Sequence, residues 1–540
     1  MFHGTTPTFV RAAAVVAFLF AGVISSASQT AIPTHHYDNY RTGWNQTETV
    51  LTPANVNSKT FGLLQNVPLN AQVDGQPLVV PGVLITAGKY PGVHDVVYVA
   101  AESNTIYAID AESGTILLNP SFGQPVAPPA LCGSSPNLGI HSTPAIDLSS
   151  STMYVVTYSQ GSGGPLYRVH ALDLGSLTDK VTPQTVTASH TLTDGTTLPF
   201  NALYQRQRPA LLLANGNVYA AFGSFCDNQS NLSRGWVLGW NAATLAAMPS
   251  NELTDTLATA PGDYFLSSIW MSGTGPASDD AGNLLFVTGN SQNTTYDGIS
   301  NIQESVVKVA PNLSSVLDVF TPDDEDSLDT ADLDFGSGGV MVLPDQPGAT
   351  PHMAVAAGKD GNMFLMNEDH LGGYSPQKNN VLGTYPINGC WCGESYFVDP
   401  VDGAARVVSS GGRSVMVWKL HTSPKPGLSL ATSSASIGGG QAPGFFTSIS
   451  SNGKANPIIW AVSRPASMAN PAVFLFAFNP DSGGSTMKLL FRASAGSWPN
   501  PGNDANIVPV VANGRVYIAS SRRLQIFGLK AAGNKPAARR

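Results

Sequence analysis

A short apolar strand recurs along the chain, and its recurrence limits the possible fold more than any other feature. Its clearest copy lies in residues 97–117, VYVAAESNTIYAIDAESGTIL, where apolar residues alternate with their neighbours and residues 102–104 (Glu-Ser-Asn) supply a turn. Alternation of this kind indicates half-buried strands, and the turn between the two runs predicts a hairpin. A second turn signal at residues 110–114 precedes a third apolar run. The segment therefore predicts three short antiparallel strands in tandem.

Strands of this kind occur eight times along the chain. Their spacing of roughly 50 to 70 residues exceeds the about 40 to 50 residues of common propeller repeats, so we expect long loops in each blade. A radial arrangement of four-stranded sheets is favoured because it leaves only short, protected sheet edges. The sequence predicts an all-β protein: one eight-bladed β-propeller domain, with four-stranded antiparallel blades, over residues 28–529. The copies begin at Val97, Met153, Val218, Leu284, Met353, Arg406, Ile458 and Val516.

The composition agrees with a turn-rich β protein and excludes some partners. The 540 residues include 54 Gly and 39 Pro, and only 12% of them are charged. The formal net charge is −9, and the few Lys and Arg residues are scattered along the chain. Because a nucleic-acid surface needs clustered positive charge, we expect no nucleic-acid partner.

The first 27 residues have the pattern of an export signal peptide. Arg11 precedes an apolar run over residues 12–24, and the small residues 25–27 suit a cleavage site. The apolar run is short for a membrane span, although an uncleaved anchor is the alternative. We expect an exported protein, periplasmic or extracellular, with no membrane span after cleavage. At the other end, the polar and basic residues 530–540 are predicted to form a disordered tail.

The segment before the first repeat is a candidate for closing the ring. Propellers commonly close when an N-terminal segment supplies a strand to the last blade. Residues 61–64 or residues 67–69 are the apolar runs available for this role. The alternative is that the segment forms a loose surface arm.

Four cysteines are present, at positions 132, 226, 390 and 392. An even number in an oxidising compartment favours disulfides, but three pairings are possible and the sequence does not choose among them. A single residue separates Cys390 from Cys392, whereas zinc sites normally need two or more between ligands, so we expect no thiolate metal site. The densest charge lies in residues 322–336, where Asp323–Asp326 is predicted to be a solvated loop.

The strand unit of residues 97–114, together with residues 41–43 (Arg-Thr-Gly) and 52–56 (Thr-Pro-Ala-Asn-Val), resembles the quinoprotein alcohol dehydrogenase-like family of PQQ-repeat β-propellers. The resemblance covers about residues 35–530 and implies an eight-bladed propeller. In enzymes of that family, pyrroloquinoline quinone (PQQ) lies at the mouth of the central channel on a tryptophan floor. Oxygen ligands hold a calcium ion, which polarises the quinone as a Lewis acid, and an aspartate acts as the base.

Five residues match the family's functional positions, and their roles are implied by the resemblance. Trp270 is the candidate floor for the cofactor, and Asn290, in Thr-Gly-Asn, is the candidate amide ligand of calcium. Asp334 falls at the position of the catalytic base and is also a candidate metal ligand. Lys359 occupies the place of the basic residue that contacts the quinone oxygens, and Asp227 stands near the calcium-binding carboxylate.

Each of the five residues also has a purely structural alternative. Asn290 follows a Gly at a strand end, where Asn favours turn geometry, and Trp270 suits packing between blades. Asp227 and Asp334 are able to cap turns, and Lys359 precedes an Asp-Gly hairpin turn. The family's pair of adjacent cysteines is absent from this chain.

Two functions remain open at this point. The resemblance implies a PQQ- and calcium-dependent dehydrogenase whose substrates are small alcohols or sugars. The alternative is a non-catalytic propeller that binds a protein or a polysaccharide in the cell envelope or outside the cell, and the missing cysteine pair and long polar loops favour it. If the protein is the enzyme, Asp227, Asn290, Asp334 and Lys359 are expected to converge above Trp270 at one end of the channel.

Overall fold

The computed structural model of the protein describes residues 1, 2, 4, 29–128, 137–225, 234–249, 267–291, 296–298, 301–439, 442–481, 483–499 and 504–531. Most of the predicted signal peptide and residues 532–540 of the predicted tail lie outside these ranges, as do Cys132, Cys226 and Asp227. Within the described ranges, no helix has the length and hydropathy needed to cross a membrane.

Eight blades of antiparallel strands follow one another along the chain, which confirms the predicted eight-bladed propeller. Two short segments near the N-terminus, β1 and β2, join the last two blades. The first strands are β1 (Trp44–Asn45) and β2 (Phe61–Pro68), then in blade one β3 (Leu78–Ile85), β4 (Gly92–Ala101), β5 (Thr105–Asp110) and β6 (Ile116–Leu118), and in blade two β7 (Ala145–Asp147), β8 (Thr152–Gly161), β9 (Gly164–Asp173) and β10 (Gln184–Thr185).

The middle of the chain contributes a separate hairpin and blades three to five. In blade three, β13 pairs with the end of β15 opposite Gly223 and Ser224. The hairpin is β11 (Ser189–Thr191) with β12 (Thr197–Pro199); blade three holds β13 (Gln205–Arg206), β14 (Leu212–Ala214), β15 (Asn217–Ser224) and β16 (Trp236–Asn241); blade four holds β17 (Ala277–Ser278), β18 (Leu284–Val287), β19 (Val306–Val309) and β20 (Val316–Phe320); blade five holds β21 (Val340–Val342), β22 (Met353–Ala357), β23 (Asn362–Asn367) and β24 (Gly383–Pro386).

The last third of the chain forms blades six to eight. Helical structure in the described residues is limited to α1 (Glu325–Ala331) and two single 3₁₀ turns, Met271–Gly273 and Phe335–Ser337. Blade six holds β25 (Ser395–Val398), β26 (Ala405–Ser409), β27 (Met416–His421) and β28 (Gly427–Ser433); blade seven holds β29 (Thr447–Asn452), β30 (Ala455–Val462), β31 (Ala472–Asn479) and β32 (Lys488–Ser497); blade eight holds β33 (Val510–Ala512), β34 (Arg515–Ser520) and β35 (Arg523–Leu529).

The first strands of neighbouring blades contact one another around the axis, as β7, β14, β17 and β21 do in sequence. Each blade packs against a blade on either side, so its middle strands are buried on both faces. For this reason the second half of β4 is apolar throughout, with all of residues 96–101 buried, rather than strictly alternating.

Strand β2 closes the ring by pairing with β35 in blade eight. The antiparallel register sets Phe61 opposite Leu529 and Pro68 opposite Arg523. The two candidate runs, residues 61–64 and residues 67–69, both fall in or directly after β2, so closure by this N-terminal segment is confirmed and the alternative of a loose arm is wrong for it. In addition, β1 pairs in parallel with β29 of blade seven.

The acidic run before blade five corrects one prediction. Asp323–Asp326 was expected to form a solvated loop. Asp323 and Asp324 do form a turn, and Asp324 and Asp326 are exposed, but α1 begins at Glu325, and the side chains of Glu325 and Asp329 are buried. Glu325 accepts a hydrogen bond of 2.6 Å from the Gln303 amide, which stabilises the buried carboxylate. Helix α1 has one buried face, with Leu328 and Asp329 directed toward the protein, and one exposed face that includes Asp326.

Residues 32–45, here called the hub segment, run along the inside of the ring and bond to every blade. Backbone or side-chain hydrogen bonds join it to the first strand of each blade in turn, so its polar groups replace water at the axis. The bonded pairs, from blade one to blade eight, are Ile32 with Val79, Pro33 with Ile146, Asn39 with Leu213, Asn39 with Ser278, Tyr40 with Val342, Thr42 with Tyr396, Gly43 with Ile449 and Asn45 with Val511.

Arg41 is the buried centre of the hub segment, with 1% of its surface exposed. Its guanidinium donates to the carbonyl oxygens of Pro276 at 2.7 Å, His35 at 3.0 Å and Leu211 at 3.2 Å. It also donates to Thr34 Oγ1 at 2.8 Å. Burial lowers the pKa of Arg41 to about 10, which leaves the group charged at neutral pH.

We predict that Arg41→Met lowers the free energy of unfolding by at least about 3 kcal/mol, because several buried carbonyl groups lose their donor at once. Urea unfolding followed by tryptophan fluorescence measures the change. The control Arg413→Met, at an exposed arginine, should stay within about 0.5 kcal/mol of the wild type. Equal losses in the two variants would contradict a central role for the hub segment.

Candidate functional site

The loops that precede the first strands of successive blades meet around the axis and are here called the mouth loops: residues 74–77, 141–144, 207–211, 270–276, 334–339, 389–394 and 443–446. Each is hydrogen bonded to the next, so residues that are far apart in sequence become neighbours. The bonds join Asp74 to His141, His141 to Arg208, Ala210 to Gly273, Ser272 to Ser337, Ser337 to Cys390 and Trp391 to Pro443.

Asp334, in the mouth loop of blade five, forms an ion pair with Lys359, which lies in the turn between β22 and β23. The Lys359 ammonium contacts Asp334 Oδ2 and donates to Asp332 Oδ1 at 2.8 Å. Burial raises the pKa of Asp334 above its ordinary value, and the Lys359 charge is the largest influence in the opposite direction. Burial alone would lower the pKa of Lys359, but the nearby aspartates raise it overall. The lysine is therefore charged and favours the ionised form of Asp334.

Asn290 lies beside this pair with its side chain fully buried. Its backbone N–H donates to Asp334 Oδ1 at 3.3 Å. Within the described part of the chain, neither Oδ1 nor Nδ2 of the amide has a hydrogen-bond partner. Because a buried polar group without a partner costs about 1–3 kcal/mol, this amide is suited to bind a ligand.

Two glycines allow the loop of Asp334 to approach its neighbours closely. A Cβ atom at Gly336 would lie 2.5 Å from the backbone nitrogen of Gly289, and one at Gly358 would lie 2.6 Å from Phe335 Cα. Side chains at either position would push the segments that carry Asn290 and Lys359 away from Asp334. These glycines therefore fix the spacing of the three polar residues.

Trp270 lies next to Gly289, the residue that precedes Asn290. A Cβ atom at Gly289 would be 3.5 Å from Asp334 Oδ1 and 3.7 Å from Trp270 Cδ1. On its other side, the half-buried Trp270 ring lies against Gly223, and the Arg206 guanidinium is 6.0 Å from its centroid. The structure thus places Trp270, Asn290, Asp334 and Lys359 together. Asp227 lies outside the described residues.

Two buried carboxyl groups next to the site were not singled out from the sequence. Glu304 accepts a 2.6 Å hydrogen bond from the Phe335 N–H, and Asp329 accepts one of 3.1 Å from the Ser291 N–H. Burial, reinforced by the charge of Asp334, raises the pKa of Glu304 well above its ordinary value. Burial likewise raises the pKa of Asp329 to about 8. The site is consequently rich in oxygen atoms, which are the ligands that hard cations prefer.

A disulfide between Cys390 and Cys392 borders the site and resolves one pairing that the sequence left open. It flanks Trp391, whose ring centroid is 4.7 Å from the Lys359 ammonium. The buried Glu394 side chain lies 3.7 Å from Cys390 Sγ, and burial raises its pKa from the ordinary 4.5 to about 8. The other two cysteines lie outside the described residues.

A second buried cluster occupies the mouth loops of blades one to three. His141 Nδ1 lies 2.7 Å from Asp74 Oδ2 and 3.7 Å from Glu102 Oε1. Burial lowers the pKa of His141, so the neutral imidazole with a proton on Nδ1 is favoured. Arg208 Nη1 donates to the His141 carbonyl at 3.1 Å, and Arg206 lies between this cluster and Trp270. From the sequence, His141 was placed only roughly in the region of the family's cysteine pair, and Asp74, Arg206 and Arg208 were given no role. Asp74, His141 and Arg208 nevertheless each stand four positions before a first strand.

Comparisons with known proteins give fold-level matches. No family model matches the chain, and no curated protein matches it. Among solved structures, the quinohemoprotein alcohol dehydrogenase from Comamonas testosteroni matches with a TM-score of 0.58 and 14% identity over 95% of this chain and 83% of that one. The chain has the fold of the quinoprotein alcohol dehydrogenases.

Two further structures with this quinoprotein fold match at similar levels. A europium-containing methanol dehydrogenase has a TM-score of 0.57 and 11% identity, over 92% of this chain and 98% of that one. The quinohemoprotein alcohol dehydrogenase ADHIIG from Pseudomonas putida HK5 has a TM-score of 0.54 and 13% identity, over 94% and 82%. At these identities the likeness establishes the fold alone.

We predict that Glu394→Gln flattens the pH dependence of stability. In the native state Glu394 keeps its proton up to about pH 8, whereas the unfolded chain releases it near its ordinary pKa, so the native state loses stability as the pH rises through this window. The variant should lose less, by up to about 1.4 kcal/mol per pH unit. Urea unfolding between pH 5 and pH 8 measures the slope. Exposed Glu112→Gln is the control, and identical slopes in Glu394→Gln and the wild type would contradict the prediction.

Proposed function

We propose that the protein is a PQQ- and calcium-dependent dehydrogenase of alcohols or sugars, exported to the periplasm or beyond the cell. The observation that carries this proposal is the buried Asn290 amide, which has no hydrogen-bond partner among the described residues and is adjacent to the Asp334–Lys359 ion pair and to Trp270. This arrangement lies at the axis of a fold shared with quinohemoprotein alcohol dehydrogenases and a methanol dehydrogenase.

The residues present fit the two groups that the fold family implies. Asn290 Oδ1 and the Asp334 carboxylate are neutral and anionic oxygen donors of the kind that calcium takes, and Asp227 is proposed as a third ligand. Lys359 supplies a positive charge next to them, suited to contact with quinone oxygens. The half-buried Trp270 ring offers an aromatic face of the kind on which a planar ring system packs.

Each residue then has a defined task. The bound quinone, polarised by the metal ion, would supply the two-electron acceptor for an alcohol carbon. Asp334 takes the hydroxyl proton of the substrate, and Lys359 keeps Asp334 ionised for this purpose. Asn290, Asp334 and Trp270 orient the reacting groups on rigid blades. Burial of the site raises the strength of these electrostatic interactions, because water is excluded.

Reconstitution of the purified protein tests the proposal directly. With PQQ and calcium added, we expect a bound-quinone absorption spectrum and turnover of at least one alcohol or sugar in a panel assayed with a dye acceptor. Europium(III) should be tried in place of calcium, since one structural match contains it. If neither bound quinone nor turnover appears with either metal, the dehydrogenase proposal is wrong, and binding to envelope proteins and polysaccharides becomes the next assay.

We predict that Asp334→Asn lowers kcat by about 10²- to 10⁴-fold, because the amide cannot take a proton. Equilibrium dialysis should show PQQ binding within a few-fold of the wild type. Asp332→Asn is the matched control, since Asp332 also contacts Lys359 but has 62% of its side chain exposed. Comparable losses of kcat in the two variants would refute the assignment of Asp334 as base.

We also predict that Asn290→Ala weakens metal binding at least tenfold, because the metal loses an oxygen ligand. Europium(III) luminescence, with the lifetime reporting bound water, measures this affinity without the need for turnover. Asn388→Ala, at an asparagine outside the cluster, serves as the control. An unchanged affinity in Asn290→Ala would remove Asn290 from the ligand set.

A further inference from the structure

The end of the propeller opposite the mouth loops carries a group of exposed apolar side chains. Mouth loops precede the first strands, so the turns between first and second strands lie at the other end of the ring, here called the far end. Blade one places Leu84, Tyr90 and Val93 at this end, and blade two places Leu148 there. Val50 packs against the turn between β33 and β34 of blade eight. These five residues, here called the apolar rim, are 45% to 69% exposed.

Blades eight, one and two are consecutive around the ring, so the members of the apolar rim are neighbours. Leu84 lies directly opposite Val93 in β3 and β4, which puts both side chains on one face. At the tip of this hairpin, the Thr86 N–H donates to the Gly175 carbonyl of blade two at 2.9 Å. The residue before Gly175 donates at 3.2 Å to the turn at residues 148–151. An apolar group that extends over adjacent blades marks an interaction surface, whereas single exposed apolar residues do not.

The chain enters and leaves the propeller at the same end. Near the N-terminus, the Gln29 amide donates to Asp95 Oδ2 at 2.6 Å, in the strand that carries Val93. Strand β35 runs toward the far end, and after it the Lys530 ammonium donates to the Ser58 carbonyl at 2.8 Å. Both points adjoin the apolar rim.

The sequences that flank the domain suit a lipid surface. The apolar run at residues 12–24 precedes Gln29, so the predicted export signal joins the domain at the far end. Residues 530–540 include four Lys or Arg and no acidic residue. In the turn between β3 and β4, exposed Lys89 precedes Tyr90. Lysine stems and tyrosine rings are typical of the boundary between a membrane and water.

We expect apolar insertion, rather than net charge, to hold such a surface. Exposed Glu112 and half-buried Asp147 lie at the far end and offset the charges of exposed Lys59 and Lys89. The residues of the apolar rim project from separate turns with polar backbone between them. A deformable bilayer admits each apolar tip separately, so it fits this pattern better than one rigid protein surface does.

We propose that the far end of the propeller binds the surface of a phospholipid bilayer, with the apolar rim inserted among the lipid headgroups. This inference goes beyond the dehydrogenase proposal and is independent of it, because no residue of the candidate cofactor site takes part. It gives the protein a defined orientation, in which the mouth loops face away from the membrane toward dissolved ligands.

Vesicle flotation of the mature protein tests the proposal, with mixed vesicles of phosphatidylcholine and phosphatidylglycerol as the probe. The double variant Leu84→Asn/Val93→Asn should bind at least about tenfold more weakly than the wild type, since removal of one Leu or Val from apolar surroundings corresponds to about tenfold or more. Met468→Asn is the matched control, because Met468 is 66% exposed but lies in the turn between β30 and β31, at the mouth end. Its binding should equal that of the wild type.

Two further measurements locate the contact. In the variant Tyr90→Trp, brominated lipids should quench tryptophan fluorescence more than in the wild type, because the new indole ring is inserted. Vesicle binding should change less than about threefold between about 0.1 M and about 1 M salt, since screening weakens charge contacts but not apolar ones. The thermal midpoints identify any variant that fails to fold, and Tyr90→Trp then carries the test.

Several results would overturn the proposal. These are no vesicle binding by the wild type, equal weakening in the double variant and in Met468→Asn, no added quenching in Tyr90→Trp, or loss of binding at high salt. A dimer seen by analytical ultracentrifugation in the wild type and absent from the double variant would instead assign the apolar rim to contact between copies of the chain. Because none of these measurements uses PQQ, their failure leaves the dehydrogenase proposal unaffected.

Discussion

The hydrogen bonds between the hub segment and the first strand of every blade are the interaction on which the whole structure depends. The first strands surround the axis of the ring. Without the hub segment, their backbone groups that face the axis would border a water-filled channel. Residues 32–45 provide partners for these strands in all eight blades. The Arg41 side chain donates hydrogen bonds to Leu211 and Pro276, which precede the first strands of blades three and four. It also donates to His35 within the hub segment. Because buried backbone groups need partners, the segment holds the eight blades in a fixed arrangement.

This arrangement explains how a site forms from residues scattered over most of the chain. The first strands of blades one to seven are each preceded by a mouth loop, and the closed ring brings these loops together. The ring buries the Asn290 amide, whose Oδ1 and Nδ2 have no hydrogen-bond partner among the described residues. At about 1–3 kcal/mol for each such group, the native state carries a substantial cost that a bound ligand would offset. A purely structural axis would be expected to fill the same space with apolar side chains.

The fold could be predicted from the sequence because its signal is local. Alternating apolar residues and turn signals mark each strand. Because the strand unit recurs eight times at long spacing, few β architectures are compatible with the sequence. The short motifs and their order along the chain were sufficient to predict that Asn290, Asp334 and Lys359 lie together beside Trp270. Each motif includes the glycine or turn that positions its functional residue.

The rest of the site could not be predicted, since it depends on which loops adjoin after closure. Glu304, which is fully buried, and Arg206, which lies near Trp270, have unremarkable sequence neighbours and reach the site only when the ring closes. The seven-residue helix α1 was missed because an acidic run with a single Leu328 gives no helical period. The pairing of Cys390 with Cys392 was left open, because spacing alone does not distinguish three pairings.

Because the ring closes between strands near the two ends of the chain, the fold cannot be completed until the last strands have been synthesised. Asn45 bonds to Val511, 466 positions later, and β2 has no partner until β35 has been made. A nascent chain therefore carries an unpaired edge strand and an unsatisfied hub for nearly the entire time of translation. Long-range pairing of this kind slows folding and exposes intermediates to aggregation. The hub segment and β2 therefore complete their pairing only when blades seven and eight are available.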